Sequence, residues 1–253
     1  IVEDFFDDIN TEEKVYILGL LYADGYNDTD RNSVSLGLKE TDREVLDKIT
    51  ALMQPTKPLQ YINTQNNGFK NSQNQYRLVM ESKKISQRLV ELGCGKAKTH
   101  NLVFPTEEQV PKHLQRHFVR GYFDGDGCIT GWLATEKGKA DRVRYKFDIC
   151  SKTITMLSDI QKVLSKNDIN VNINYLKRDD MYRISTSSKS EVSKLYHYLY
   201  DDANFYLSRK FNKFSYYVNT EVSQLIADHR NAQEVNVNES NNPPTSAEHS
   251  IKE

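Results

Sequence analysis

Long hydrophobic runs are missing from these 253 residues: no stretch approaches the roughly 20 apolar residues that a membrane-crossing helix needs. No membrane partner is therefore expected. Cysteine is scarce as well. Cys94, Cys128 and Cys150 form an odd set with no CxxC spacing, which argues against a disulfide framework and for small buried thiols in a reduced, intracellular protein. The N-terminal IVEDFFDDIN is acidic and lacks a basic region followed by an apolar segment, so no secretory signal is expected. There is no glycine-rich phosphate loop, no Ser-His-Asp arrangement and no cysteine-nucleophile pattern. Trp132 is the single tryptophan, and it reads as a packing residue.

Excess charge of one sign is also lacking, since the net is −1, which at first sight argues against a polyanionic partner. The distribution of charge points the other way. Residues 1–13 hold six acids and no base and residues 219–253 six acids against two bases, which leaves +9 for residues 14–218. Within that body, Lys57 to Arg88 has six bases against Glu81 alone, and Lys137 to Lys189 has twelve bases against six acids. Clustered positive charge of this kind is the footprint of phosphate recognition.

What the chain does contain is an internal repeat. Thr11 is placed to cap a helix through Tyr16 to Gly25, followed by a loop rich in Asn and Asp. Val34, Leu36 and Leu38 alternate as a half-buried strand. Thr41 to Glu44 reads as a capping box for a helix that stops before Pro55, and Leu59–Gln65 with Gln75–Glu81 as a hairpin. Ser82 then caps a helix ended by Gly93. The same order returns with a helix through Phe118 to Gly127, a strand from Val143 to Cys150 and a helix capped by Thr153. Strands at Val171–Tyr175 and Met181–Ser187 and a helix opened by the capping box Ser188–Glu191 complete it. Gln75-Tyr76-Arg77-Leu78 and Met181-Tyr182-Arg183-Ile184 nearly superimpose. The predicted class is α+β, with two pseudo-symmetric αββαββα repeats at residues 1–110 and 111–218. Residues 219–253 form a C-terminal extension, in which a final helix at Tyr206–Tyr217 is continued and the composition from Asn231 predicts a disordered tail.

The organising stretches are YILGLLYADG (Tyr16–Gly25) and FVRGYFDGDG (Phe118–Gly127), 102 residues apart. Small residues at i and i+4, Gly19 with Ala23 and Gly121 with Gly125, give each helix a flat stripe on which the two can meet backbone to backbone. That contact would bring Asp24 and Asp126 side by side, each followed by a glycine, Gly25 or Gly127, suited to a left-handed helix end. Two carboxylates at negative helix termini repel and call for a cation. Hard oxygen ligands suit Mg²⁺, with Mn²⁺ able to substitute, and such an ion can activate water for in-line displacement at phosphorus. On the exposed strand faces, Arg77, Arg183, Arg144 and Lys146, with Asn172 and Asn174, are candidates for reading base edges. Lys57, Lys70, Lys177 and Arg178, near strand ends, are candidates for phosphates. His113 and His117 stand i, i+4 without HExxH or a third ligand, and read as structural or phosphate-facing.

These paired stretches resemble the motifs of the LAGLIDADG homing endonucleases, over about residues 12–218. Tyr22 stands where the motif's first Asp would be, and Asp124 where the second copy keeps it; neither is placed in the metal site. The resemblance implies antiparallel or mixed sheets forming a saddle for double-stranded DNA, two motif helices at the domain interface and a monomer. It implies metal-dependent double-strand cleavage by phosphodiester hydrolysis at a long, specific site. The metal would be held by Asp24 and Asp126 with Gly25 and Gly127. In that family a lysine after the third helix reaches the active centre, which by position implies Lys98 and Lys210, with Lys96 and Arg209 as neighbours. No splice junction is evident, so an intron-borne or free-standing origin is expected. The compartment would be cytoplasmic or nucleoid-associated, or an organelle or virus-infected host. A non-cleaving protein on the same scaffold, an RNA maturase bound to intron RNA or a DNA-binding regulator, is the alternative. A metal-binding structural protein with no nucleic-acid partner is the third reading.

Overall fold

The computed structural model describes residues 1–64 and 73–241, the last nine of these as backbone alone. Helix α1 (Glu12–Asp24) starts where the Thr11 hydroxyl accepts the Lys14 amide at 3.5 Å, with Glu12 and Glu13 at the positive end of its dipole. Val15 to Tyr22 are all buried. A helix apolar on every side must be enclosed, and α1 is enclosed by α4 (Gln115–Asp126), the equivalent helix of the second half. A Cβ on Gly19 would strike the Phe118 carbonyl, and one on Gly121 the Tyr16 carbonyl. Tyr16 and Phe118 are themselves 102 residues apart, so each glycine meets the other's counterpart about a pseudo-two-fold axis.

Each motif helix feeds a four-stranded antiparallel sheet. The first contains β1 (Gly25–Asp28), β2 (Ser33–Lys39), β3 (Gln60–Ile62) and β4 (Gln75–Glu81) in the order β1-β2-β4-β3. The second contains β5 (Gly127–Ala134), β6 (Arg142–Ser151), β7 (Asn172–Leu176) and β8 (Met181–Thr186) in the order β5-β6-β8-β7. Helices α2 (Arg43–Met53) and α3 (Lys83–Glu91) cover one face of the first sheet, and α5 (Ile154–Ser165) and α6 (Lys189–Tyr200) one face of the second. Alternation decides which face is covered. Val34, Leu36, Leu78 and Met80 point into one core and Tyr145, Phe147, Ile149 and Ile184 into the other, while their neighbours point outward. Each core side chain so buried contributes about 1.5–3 kcal/mol.

Four local expectations change. The chain does not loop after the motifs: β1 and β5 begin at Gly25 and Gly127 directly. Both glycines are extended rather than left-handed, with φ of −77° and −87°. Glycine is needed for room, because a Cβ would lie 2.5 Å from the Leu21 carbonyl oxygen at Gly25 and 2.6 Å from that of Phe123 at Gly127. A left-handed glycine does end α3, at Gly93 with φ +90°. Thr41 caps nothing, because a 3-10 turn at Glu40–Asp42 precedes α2 and Asp42 instead accepts Arg209. Thr153 likewise gives its hydroxyl to the Thr99 carbonyl at 3.0 Å.

Two further helices follow the second repeat. In α7 (Ser208–Asn219), Phe214 joins Phe123 and Phe147, whose rings stack at 4.8 Å. In α8 (Val222–Asn241), Leu225 is buried and Arg230 Nε donates to Asp141 at 3.1 Å. The helix runs ten residues past the point at which the composition turns polar.

Candidate active site

The geometry of the site follows from two helices ending together. Asp24 and Asp126 are the last residues of α1 and α4, and Asp24 Oδ2 lies 3.0 Å from where a Cβ on Gly125 would stand, with Ala23 packed on that same point. Neither carboxylate has an ion-pair partner among the described residues. Both side chains open to solvent, and protein crowds them on the remaining sides. That crowding, joined by the charge of Asp24, raises the Asp126 pKa to about 6. Crowding raises Asp24 in the same direction, against the pull of Lys210 and Lys98.

Each aspartate has a lysine beside it. Lys98, on a 3-10 turn at Lys98–His100, donates to the Gly25 carbonyl, and Lys210, buried on α7, donates to the Gly127 carbonyl. Burial, followed by the neighbouring Arg209 charge, lowers the Lys210 pKa. Lys96 and Arg209, the positional competitors, are engaged elsewhere, with Asp30 and Asp42. The glycine carbonyls expected to serve a metal are thus lysine acceptors, which leaves the two carboxylates as the open oxygen ligands. A cavity of about 310 Å³ adjoins Asp126 and is lined by Lys98, Tyr122 and Lys152 among others. The buried Tyr122 hydroxyl faces Asp126 and Ser151 there. Two carboxylates without ion pairs and room beside them fit a hard divalent cation with its waters.

The segments that lead to the two lysines are tied to the motif helices at a position where the repeats differ in kind. Tyr22, on α1, donates its hydroxyl to the Leu92 carbonyl, just ahead of the segment that bears Lys98. Asp124, on α4, accepts the Leu207 amide at 2.8 Å, at the entry to the helix that bears Lys210, and also accepts Tyr16 at 2.8 Å and Tyr200 at 2.7 Å. A donor in one repeat and an acceptor in the other make the same connection. Next to Asp124 in the core, the fully buried Arg120 donates to Glu12 at 2.6 Å and to the carbonyls of Phe205 and Leu199, with His117 Nδ1 at 2.8 Å. His117 is therefore bound into that network, while His113 lies exposed on the surface.

The outward faces of both sheets flank this centre. Register puts Arg144, Lys146, Arg183, Asn172 and Asn174 on one face of the second sheet and Arg77 on the equivalent face of the first. Arg183 Nε is buried there with no partner among the described residues. Lys177 and Arg178 are exposed in the β7–β8 turn, and Lys57 is exposed but bound to Glu81 at 2.6 Å. Lys70 lies outside the described residues. Trp132, expected in packing, is 42% exposed on this face, in register with Arg144, and Tyr26 is 51% exposed on the first. Sequence reasoning misses both residues because it misses the strands β1 and β5 that carry them. Cys128, Thr130 and Trp132 do alternate with Ile129, Gly131 and Leu133, which is the signal the sequence holds for β5.

A family model described as LAGLIDADG endonuclease matches residues 119–221. That match spans the second repeat, from within α4 to just past α7. Solved structures extend the likeness to most of the chain. The LAGLIDADG meganuclease I-AabMI, bound to uncleaved DNA, superimposes with a TM-score of 0.54 at 14% identity over 88% of this chain and 96% of its own. The homing endonuclease I-LtrWI, bound to target DNA, gives 0.56 at 11% identity over 88% and 92%. I-SmaMI, bound to an uncleaved DNA target in the presence of calcium ions, gives 0.51 at 12% identity over 88% and 96%. At these identities the shared property is the fold: two αββαββα repeats joined through the LAGLIDADG helices. No curated protein matches the chain.

Proposed function

We propose that this chain is a site-specific DNA endonuclease that hydrolyses one phosphodiester bond in each strand of a long duplex target, acting as a monomer with a divalent metal ion. One observation carries the reading: two carboxylates free of ion pairs stand together where α1 and α4 end, with one lysine at each. Residues 1–110 and 111–218 would each serve one half of the target. Mg²⁺, held by Asp24 and Asp126, would supply an activated water and charge neutralisation at the scissile phosphate. Lys98 and Lys210 add positive charge where negative charge grows. Arg77, Arg144, Lys146 and Arg183, with Asn172 and Asn174, would read bases, and Lys177 and Arg178 would hold phosphates.

The test selects bound fragments from a random duplex library in Ca²⁺, adds Mg²⁺ and sequences the cut ends. One long motif should be recovered and cut by the wild type, bound but uncut by Asp24→Asn or Asp126→Asn. A motif that is bound and never cut would make the protein a non-cleaving regulator, and no enrichment at all would end the DNA reading.

A further inference from the structure

A second cavity, of about 420 Å³, opens at the other end of α4. Lys112, His113, Gln115 and Arg116 from the start of that helix line it, with Lys166 after α5 and Tyr198 on α6. No acid is among its lining residues, and the acid paired with Lys166 is Glu107, at 4.0 Å. Lys112 and His113 have no ion-pair or hydrogen-bond partner among the described residues, and Arg116 spends only its Nε, on His117 at 3.4 Å. Gln115 is 7% exposed, and its amide meets no hydrogen-bond partner among the described residues.

The location separates this cavity from the sheet faces. From Gln115 to Asp126, α4 rises about 16 Å at 1.5 Å per residue, and α5 and α6 lie on the covered side of the second sheet. We propose that this cavity binds one unpaired nucleotide of a nucleic-acid strand, at a site distinct from the duplex-facing sheets. Lys112, Arg116 and Lys166 neutralise the phosphate, Tyr198 and the Arg116 plane stack on the base, and the Gln115 amide bonds its edge. A duplex keeps its bases stacked inside and cannot enter a cavity of this size. A free phosphate would reach the cationic side chains but leave Tyr198 without a contact.

The experiment titrates the whole chain, saturated with a 40-base-pair duplex in Ca²⁺, against a labelled, unstructured 12-nucleotide RNA and its DNA counterpart, read by anisotropy. The duplex-loaded protein should bind the strand. Lys112→Glu with Lys166→Glu should weaken strand binding by about tenfold or more. Gln115→Leu, which changes no charge, should weaken it about fivefold through the lost hydrogen bond. Duplex affinity and melting temperature should stay as in the wild type for all variants. Displacement of the strand by the duplex would overturn the proposal, as would unchanged strand binding by Gln115→Leu. Competition by inorganic pyrophosphate at concentrations equal to the strand's would assign the cavity to free phosphate and overturn the nucleotide.

Discussion

Two buried or crowded groups near the two motif helices titrate in opposite senses. Burial and the adjacent Arg120 hold the His117 pKa down to about 4. The unfolded chain takes up a proton near pH 6.5 that the folded chain refuses, so stability is lost as pH falls from about 6.5 to about 4, by up to about 3 kcal/mol. Asp126 is raised to about 6. The folded, metal-free chain keeps that proton after the unfolded chain has lost its own near pH 4, so stability rises as pH falls through about 6 towards 4. Urea midpoints between pH 4 and 7.5 separate the two: His117→Gln should flatten the acid loss, and Asp126→Asn should deepen it. Identical pH profiles for wild type and His117→Gln would show that the Arg120 network does not control the imidazole.

Contacts between elements carry two expectations. At the crossing of α1 and α4, a methyl on Gly19 or Gly121 meets a backbone carbonyl, which cannot swing aside as a side chain can. Gly19→Ala and Gly121→Ala should each cost at least about 2 kcal/mol, read in urea, whereas a Cβ on Gly95 would meet only the Val90 side chain, at 3.9 Å, so that Gly95→Ala serves as the control. The second expectation concerns the connections from Tyr22 and Asp124 to the lysine-bearing segments. Asp124→Asn retains an acceptor for Leu207 and should retain the fold. Tyr22→Phe leaves the Leu92 carbonyl without its donor, at about 1–3 kcal/mol. If each connection positions its own lysine, Tyr22→Phe should slow the cutting of one strand more than the other and accumulate nicked product. Equal slowing of both strands would mean that it supports the fold and nothing finer.

Charge is divided unequally over the whole molecule. The outward face of the first sheet sets Lys39 and Arg77 against Asp28 and Glu81, while that of the second sets Arg142, Arg144, Lys146 and Arg183 against Asp148. Phosphate neutralisation scales with such charges. A duplex that keeps only the half-site of the second repeat should therefore bind more tightly, and with a steeper salt dependence, than one that keeps only the first. Competition assays at two salt concentrations measure this. Equal half-sites would place the affinity in phosphate contacts away from the sheets.

Local pattern was enough for much of this. Small residues four apart on apolar helices predicted the contact of α1 with α4, and alternation in Val34–Leu38 and Val143–Cys150 predicted the sheets, because both features repeat within a few residues. Repetition 102 residues apart paired Asp24 with Asp126, whereas Lys98 and Lys210 were singled out only by position through the family resemblance. Contacts between distant segments had no such trace. That Asp42 would turn to Arg209 instead of capping a helix, that Gly25 and Gly127 serve clearance rather than a left-handed turn, and that Tyr22 and Asp124 make one connection with opposite polarity were all decided by packing. A side chain's partner is set by whichever group the fold brings within about 3 Å, and for these residues that group lies far along the chain.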